Sequence, residues 1–243
     1  MRIKLTITYD GTDYNGWQRQ NDKITIQKTL EDGVEQITGE RVKVIASGRT
    51  DAGVHALGQV CHLDLHGTIP PENLARALNT VLPDSLKVLK SERAEDDFNA
   101  RSKAKKKTYV YTMYKSFTIL PLKDRYATRI DPRVDVVKMQ EAAKIFVGEH
   151  DFKCLCASGS SVKTTTRTIY DLTVAEVDGF IKISVTGNGF LYNMVRIIAG
   201  TLLEAGLGKI SKEDVIKMLS EKKRNLGGRT LSAKGLTLHS VEY

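Results

Sequence analysis

Arg2-Ile-Lys-Leu-Thr-Ile-Thr-Tyr9 alternates Ile3, Leu5 and Ile7 with polar residues, the period of a strand with one buried face. A helix-period segment follows. Ile26, Leu30, Val34 and Ile37 are spaced by four, four and three, with Thr25 at the N-cap position. Val42, Val44 and Ala46 alternate again, and Gly58 to Leu65 places Cys61, Leu63 and Leu65 on one strand face. Pro71 opens a second helix carrying Leu74, Leu78 and Val81, which Pro83 follows, and Leu86 to Leu89 reads as extended. The order is β-α-β-β-α-β.

The remainder repeats that order. Thr108 to Tyr114 is a strand, and Asp135 caps a helix using Val136, Met139, Ala143 and Phe146. Thr168 to Glu176 and Phe180 to Thr186 flank Asp178-Gly179, a two-residue hairpin signal. Leu191, Met194, Val195, Ile198 and Leu202 follow helix spacing up to Gly206, placed as a C′ glycine. Ser211 to Leu219 adds a short helix, and Leu236 to Tyr243 closes with a strand. This predicts an α+β protein of two ferredoxin-like halves, 1–105 and 106–243, with packed or joined, mainly antiparallel sheets and flanking helices.

The length of 243 residues suits one large domain or two small ones, and 41% hydrophobic residues suffice for a core. Thirty-seven Lys and Arg against 29 Asp and Glu leave +8. The cations are bunched at Arg101–Lys107 and Lys222–Arg224, which favours phosphate-rich partners. No apolar run reaches the roughly 18 residues of a membrane span, and the opening strand carries no signal-peptide core. A cytoplasmic protein is expected. Three cysteines without CxxC spacing argue against a disulfide scaffold or cysteine-rich zinc site.

The stretch Ala46-Ser-Gly-Arg49-Thr-Asp51-Ala-Gly53-Val-His55-Ala-Leu-Gly58-Gln59 lies between two predicted strands. A cation and a carboxylate two positions apart, in a glycine-rich connection held by a sheet, suit a reactive loop. A plain turn is the competing reading, and on spacing alone it prevails.

That stretch resembles the signature of the tRNA pseudouridine synthase A family. So do Tyr9-Asp-Gly-Thr-Asp-Tyr-Asn-Gly-Trp17-Gln, Phe98-Asn-Ala-Arg101 through Lys107-Thr-Tyr109-Val-Tyr111, Gly187-Asn188-Gly189-Phe190 through Asn193-Met-Val-Arg196, and the closing Gly235-Leu-Thr-Leu with Val241-Glu-Tyr243. The blocks span nearly the whole chain in the family's order. The lysine-rich form of the second block departs from the pattern. The resemblance implies isomerisation of uridine to pseudouridine in the anticodon stem-loop of tRNA, positions 38–40, by a homodimer without cofactor or metal. No P-loop or HExxH pattern is present.

By the same resemblance Asp51 is the catalytic nucleophile, Arg196 its ion-pair partner, and Tyr109 the active-site aromatic that stacks on the base or helps remove its proton. Arg49 holds the flipped nucleotide's phosphate or shares the ion pair. Arg101, Lys105, Lys106, Lys107, Asn188 and Phe190 are the further substrate-binding residues. Tyr111 is structural, His55 structural or RNA-contacting, and Trp17 either a stacking platform or core. His62, Asp64 and His66 share a strand face and suggest metal ligands, but a solvated face is the favoured reading. Two rival classes stand against this. An RNA-binding module would carry the Lys/Arg-Gly-Phe aromatic signature, which is absent. A nucleobase glycosylase would release free base.

Overall fold

The computed structural model describes residues 1–67, 69–157 and 162–243. In chain order the elements are β1 (Arg2–Tyr9), α1 (Ile26–Thr38), β2 (Ile45–Ala46), β3 (His55–Asp64), α2 (Pro71–Asn79), β4 (Leu86–Arg93) and β5 (Lys106–Lys115). Then come α3 (Pro121–Asp124), β6 (Thr128–Ile130), α4 (Val136–Ala143), β7 (Gly148–Asp151), β8 (Thr166–Val177) and β9 (Phe180–Gly187). Helices α5 (Met194–Gly206) and α6 (Lys212–Glu221) precede β10 (Leu236–Glu242). The chain is α+β, its strand pairs mainly antiparallel, and it divides into two compact units. One is Met1–Lys105 with Thr237–Tyr243, the other Lys106–Leu236.

In the first unit β1 lies between β3 and β4, antiparallel to both. Its alternation works as expected: Ile3, Leu5, Ile7 and Tyr9 are buried. Thr25 caps α1 by accepting from the Lys28 N–H, and the helix ends at Gly39 in the left-handed region. The strand expected over residues 42–46 shrinks to the two residues of β2, which pair with Cys61 and His62 of β3.

The other end of the same β3 edge is taken by β10, where Thr237 and Leu238 run parallel to His55 and Ala56. Gly58 permits this, because a Cβ there would stand 2.7 Å from the His239 carbonyl oxygen. The last strand, read from the sequence as the end of the second half, thus packs with the first unit.

In the second unit the order is β5-β9-β8-β7, with β6 parallel on the far side of β5. Strands β6 and β7 carry no clear period and were not expected. The Asp178-Gly179 turn has both residues at positive φ, 53° and 74°, as a two-residue hairpin requires. Asp135 caps α4, accepting from the Val137 and Lys138 N–H groups. Helix α5 does not stop before Gly206. It runs through that glycine, where a Cβ would meet Val134 and Met139, and the left-handed residue is Gly208.

Candidate active site

Asp51 lies in the connection from β2 to β3, and the Tyr9–Trp17 segment is folded against that connection. The Trp17 N–H donates to the Thr50 carbonyl (2.9 Å), and the Gly53 N–H donates to the Tyr14 carbonyl (3.3 Å). The Val54 N–H closes a turn onto the Asp51 carbonyl (3.1 Å). Gly16, at φ 82°, passes so close that a Cβ would stand 2.7 Å from the Thr50 oxygen. Helix α1 anchors this segment in turn. Its first amides, Ile26 and Gln27, donate to the carbonyls of Gly16 and Trp17, so helix-end donors that lack intrahelical partners are used here.

Side chains lock the loop from below. The Thr50 hydroxyl meets the Tyr9 hydroxyl at 2.8 Å, inside the core. Burial pushes the Tyr9 hydroxyl up to about 12, against its bond to Thr50, so it stays a neutral phenol. Thr50 therefore points inward, while Arg49 is exposed and Asp51 half-buried. His55 is buried, with Nδ1 3.0 Å from the Gly11 nitrogen and 3.1 Å from Asp10 Oδ1, which ties the loop's far end to the segment after β1. Trp17 is also buried, so of its two readings the core one applies.

Arg101 and Lys105 are on the surface of this unit. Arg101 follows an Asx turn in which Asn99 Oδ1 accepts from the Arg101 and Ser102 N–H groups, and its side chain is exposed. Lys105 is exposed, its backbone N–H donating to the Glu242 carbonyl. His62, Asp64 and His66 do not form a common site. His62 is buried, taking the Ala100 N–H on Nδ1, whereas Asp64 is paired with Arg2 and His66 with Glu40. The solvated face expected there is a covered one at His62, because β3 is buried on both faces over residues 59–63.

In the second unit Tyr109 is 8% exposed on β5. Phe190 meets it edge to face, with ring centres 5.2 Å apart at 86°. Tyr111, two residues on, is fully buried. Its hydroxyl lies 2.7 Å from Thr128 Oγ1 and donates to the Ser232 carbonyl, a structural role as expected. Arg196 is in the first turn of α5. Its Nε donates to the Leu231 carbonyl (2.7 Å) and its guanidinium to Asn193 Oδ1 (2.6 Å), which fixes the side chain's direction. Asn193 itself takes a left-handed conformation, φ 61°.

Lys106 is exposed with its ammonium 5.9 Å from the Tyr170 ring centre, and Lys107 is half-buried opposite Gly187. Asn188 Oδ1 accepts from the Thr168 N–H, so that part of its amide serves the β8–β9 end rather than a ligand. Among the described residues no group of His, Cys, Asp and Glu could hold a metal ion, and no helix is long and apolar enough to cross a membrane.

Sequence reasoning missed Ser47, Tyr9 and Gln59 beneath the Asp51 loop, and Asn193 beside Arg196. Gln59 carried one signal, an amide inside the otherwise apolar β3 run, which needs buried partners.

The model of the tRNA pseudouridine synthase family matches residues 5–102 and 142–243. The chain belongs to that family. Tyr109 and Lys105–Lys107 lie between the two matched segments, while Asp51, Arg49, Arg101, Asn188, Phe190 and Arg196 lie within them. Full-length relatives bridge the gap. The chain is 44% identical over 241 residues to a tRNA pseudouridine synthase A of Acetivibrio thermocellus, covering 99% of each protein. It is 46% identical over 245 residues to one of Bacillus subtilis, covering 100% of this chain and 99% of that one. A tRNA pseudouridine synthase is an isomerase that acts on uridine in tRNA. It exchanges an N1–C1′ bond for a C5–C1′ bond within one nucleoside, so nothing is oxidised and no group is lost.

Proposed function

We propose that this protein converts uridines at positions 38–40 of the tRNA anticodon stem-loop to pseudouridine, with Asp51 as nucleophile, in the cytoplasm and as a homodimer. The supporting observation is the Asp51 loop itself. Its backbone is held on both sides by Trp17, Tyr14 and Val54, with Thr50 turned inward. A carboxylate so placed is preorganised rather than merely present.

The target base is stacked in a stem and must be flipped out, at a cost of a few kcal/mol. Arg49, Arg101 and Lys105–Lys107 offset that cost through phosphate contacts. The N1–C1′ bond then breaks with Asp51 as the nucleophile. The freed uracil turns, C5 bonds to C1′ as the bond to Asp51 breaks and its carboxylate is released, the C5 proton leaves and N1 gains one. Asp51 must be ionised to attack, and Arg196 is the cation assigned to keep it so. Its guanidinium is oriented by Asn193 and Leu231. Tyr109, braced by Phe190, stacks on the base, a contact worth about 1–3 kcal/mol, and its hydroxyl assists removal of the C5 proton. Neither step needs a cofactor.

The test uses tRNA transcript carrying uridine tritiated at C5. Wild type is expected to release tritium without free uracil, and Asp51→Asn to release none while still binding tRNA. Free uracil in the wild-type reaction, or full turnover by Asp51→Asn, would refute the reading. Sedimentation of the purified protein tests the dimer.

A further inference from the structure

Gln59 is 0% exposed, on β3 opposite Ile7 of β1, where an aliphatic side chain would satisfy the core. Burying an amide is unfavourable unless its donors and acceptor are used. Here they are used on the loop that carries Asp51. Gln59 Nε2 donates to the Gly48 carbonyl at 2.9 Å, and Ser47 Oγ donates to Gln59 Oε1 at 2.7 Å. The carbonyl of Gly48 can only accept, so the amide's orientation is fixed by chemistry. Beside this clasp the Tyr9 hydroxyl meets Thr50 Oγ1 at 2.8 Å.

The Gln59 amide thus holds Gly48 and the Tyr9 phenol holds Thr50, a residue on each side of Arg49 and immediately ahead of Asp51. The Ser47 N–H, donating to the Val60 carbonyl at 2.8 Å, closes the base of the loop onto the same strand. All of these atoms lie in the first unit.

We infer that Gln59 is the positioning residue for Asp51, its amide fixing the loop at Gly48 so that the carboxylate is held where the nucleoside presents its reacting atoms. This rests on the assignment of Asp51 as the reactive carboxylate. A misplacement of about 1 Å can cost about 100-fold in rate. Loss of the clasp should therefore appear in kcat, while tRNA affinity, spread over Arg101 and Lys105–Lys107 as well as Arg49, changes little.

Gln59→Leu keeps the volume and removes the clasp. Tyr9→Phe keeps the ring in the core and removes only the hydroxyl, so it folds even if Gln59→Leu does not. Both are compared with wild type and Asp51→Asn by single- and multiple-turnover tritium release, normalised to folded protein by circular dichroism, with tRNA binding titrated separately. Gln59→Leu is expected to lower kcat by about 10- to 100-fold and Tyr9→Phe by a smaller factor, with KM and binding nearly unchanged. If the loss is in KM, or vanishes after correction for folded protein, Gln59 is only structural and the inference falls. The same holds if Asp51→Asn is inactive but both variants turn over at the wild-type rate. If Asp51→Asn is itself active, the assignment of Asp51 fails instead.

Discussion

Gly16 shows how narrowly the reactive loop is held. Its φ of 82° is left-handed, and a Cβ would press on the Thr50 and Asp51 backbone. Alanine there would meet both penalties, conformational strain of about 1–3 kcal/mol and a push on the peptide that carries the carboxylate. Gly16→Ala is expected to lower stability in denaturant melts by that order, and to lower single-turnover tritium release beyond what the unfolded fraction explains. Unchanged turnover per folded molecule would separate the Tyr9–Trp17 segment from the chemistry. Nothing in the glycine's own letter announces this. A left-handed glycine in a loop is common, and only the approach of Thr50 makes it indispensable.

Among the elements, α5 carries the clearest conflict between local and tertiary preference. Gly200 sits inside the helix, where Ala would be better by about 0.5–1 kcal/mol. Yet the Gly228-Arg229 segment crosses at that point, and a Cβ would overlap the Arg229 carbonyl oxygen. Overpacking of a close-packed site costs about 1–3 kcal/mol or more, and a backbone carbonyl has no rotamer through which to yield. The crossing wins, so Gly200→Ala should lower the thermal midpoint despite its better helix propensity. A raised midpoint would show that the crossing segment moves freely. The same crossing leads to Leu231, whose carbonyl accepts from Arg196, so the displaced strap would also loosen that guanidinium. Helix periodicity read in sequence identified α5 and its end at Gly206 but made that glycine the cap, because a buried glycine chosen for Val134 and Met139 looks identical to a capping one.

For the molecule as a whole, acid is the predicted weakness. Hydrogen bonds hold many carboxylates below their ordinary values: Arg133 holds Asp131 down to about 2, Arg2 lowers Asp64, Lys234 lowers Asp124, and Lys222 lowers Asp151. A depressed folded-state value means stability that is present above the unfolded value of about 4 and lost as pH falls through the folded one. Each group is at least partly exposed to solvent, so each contributes little, and the effect is collective. His62 titrates earlier. Burial lowers its value, so its contribution is complete above 6.5 and declines below. The thermal midpoint should therefore be flat between neutrality and about pH 9, sag slightly below pH 6.5 and fall steeply below about pH 4. A midpoint unchanged between pH 5 and pH 2.5 would contradict the assigned pairs.

The amino-acid order by itself determined the strands and helices of the first unit, the Asp178-Gly179 hairpin and the family. Those features are written in short-range periods, caps and motif spacings that need no partner to be read. Where β10 pairs, why Gln59 is buried, and that His62 is covered were decided only by the folded chain. Each depends on which distant backbone comes to lie beside β3, and a strand's own residues do not record their neighbour. The reactive loop combines both cases. Its letters mark out Asp51, but the bonds that hold it still come from Tyr9, Trp17 and Gln59, brought together by the sheet.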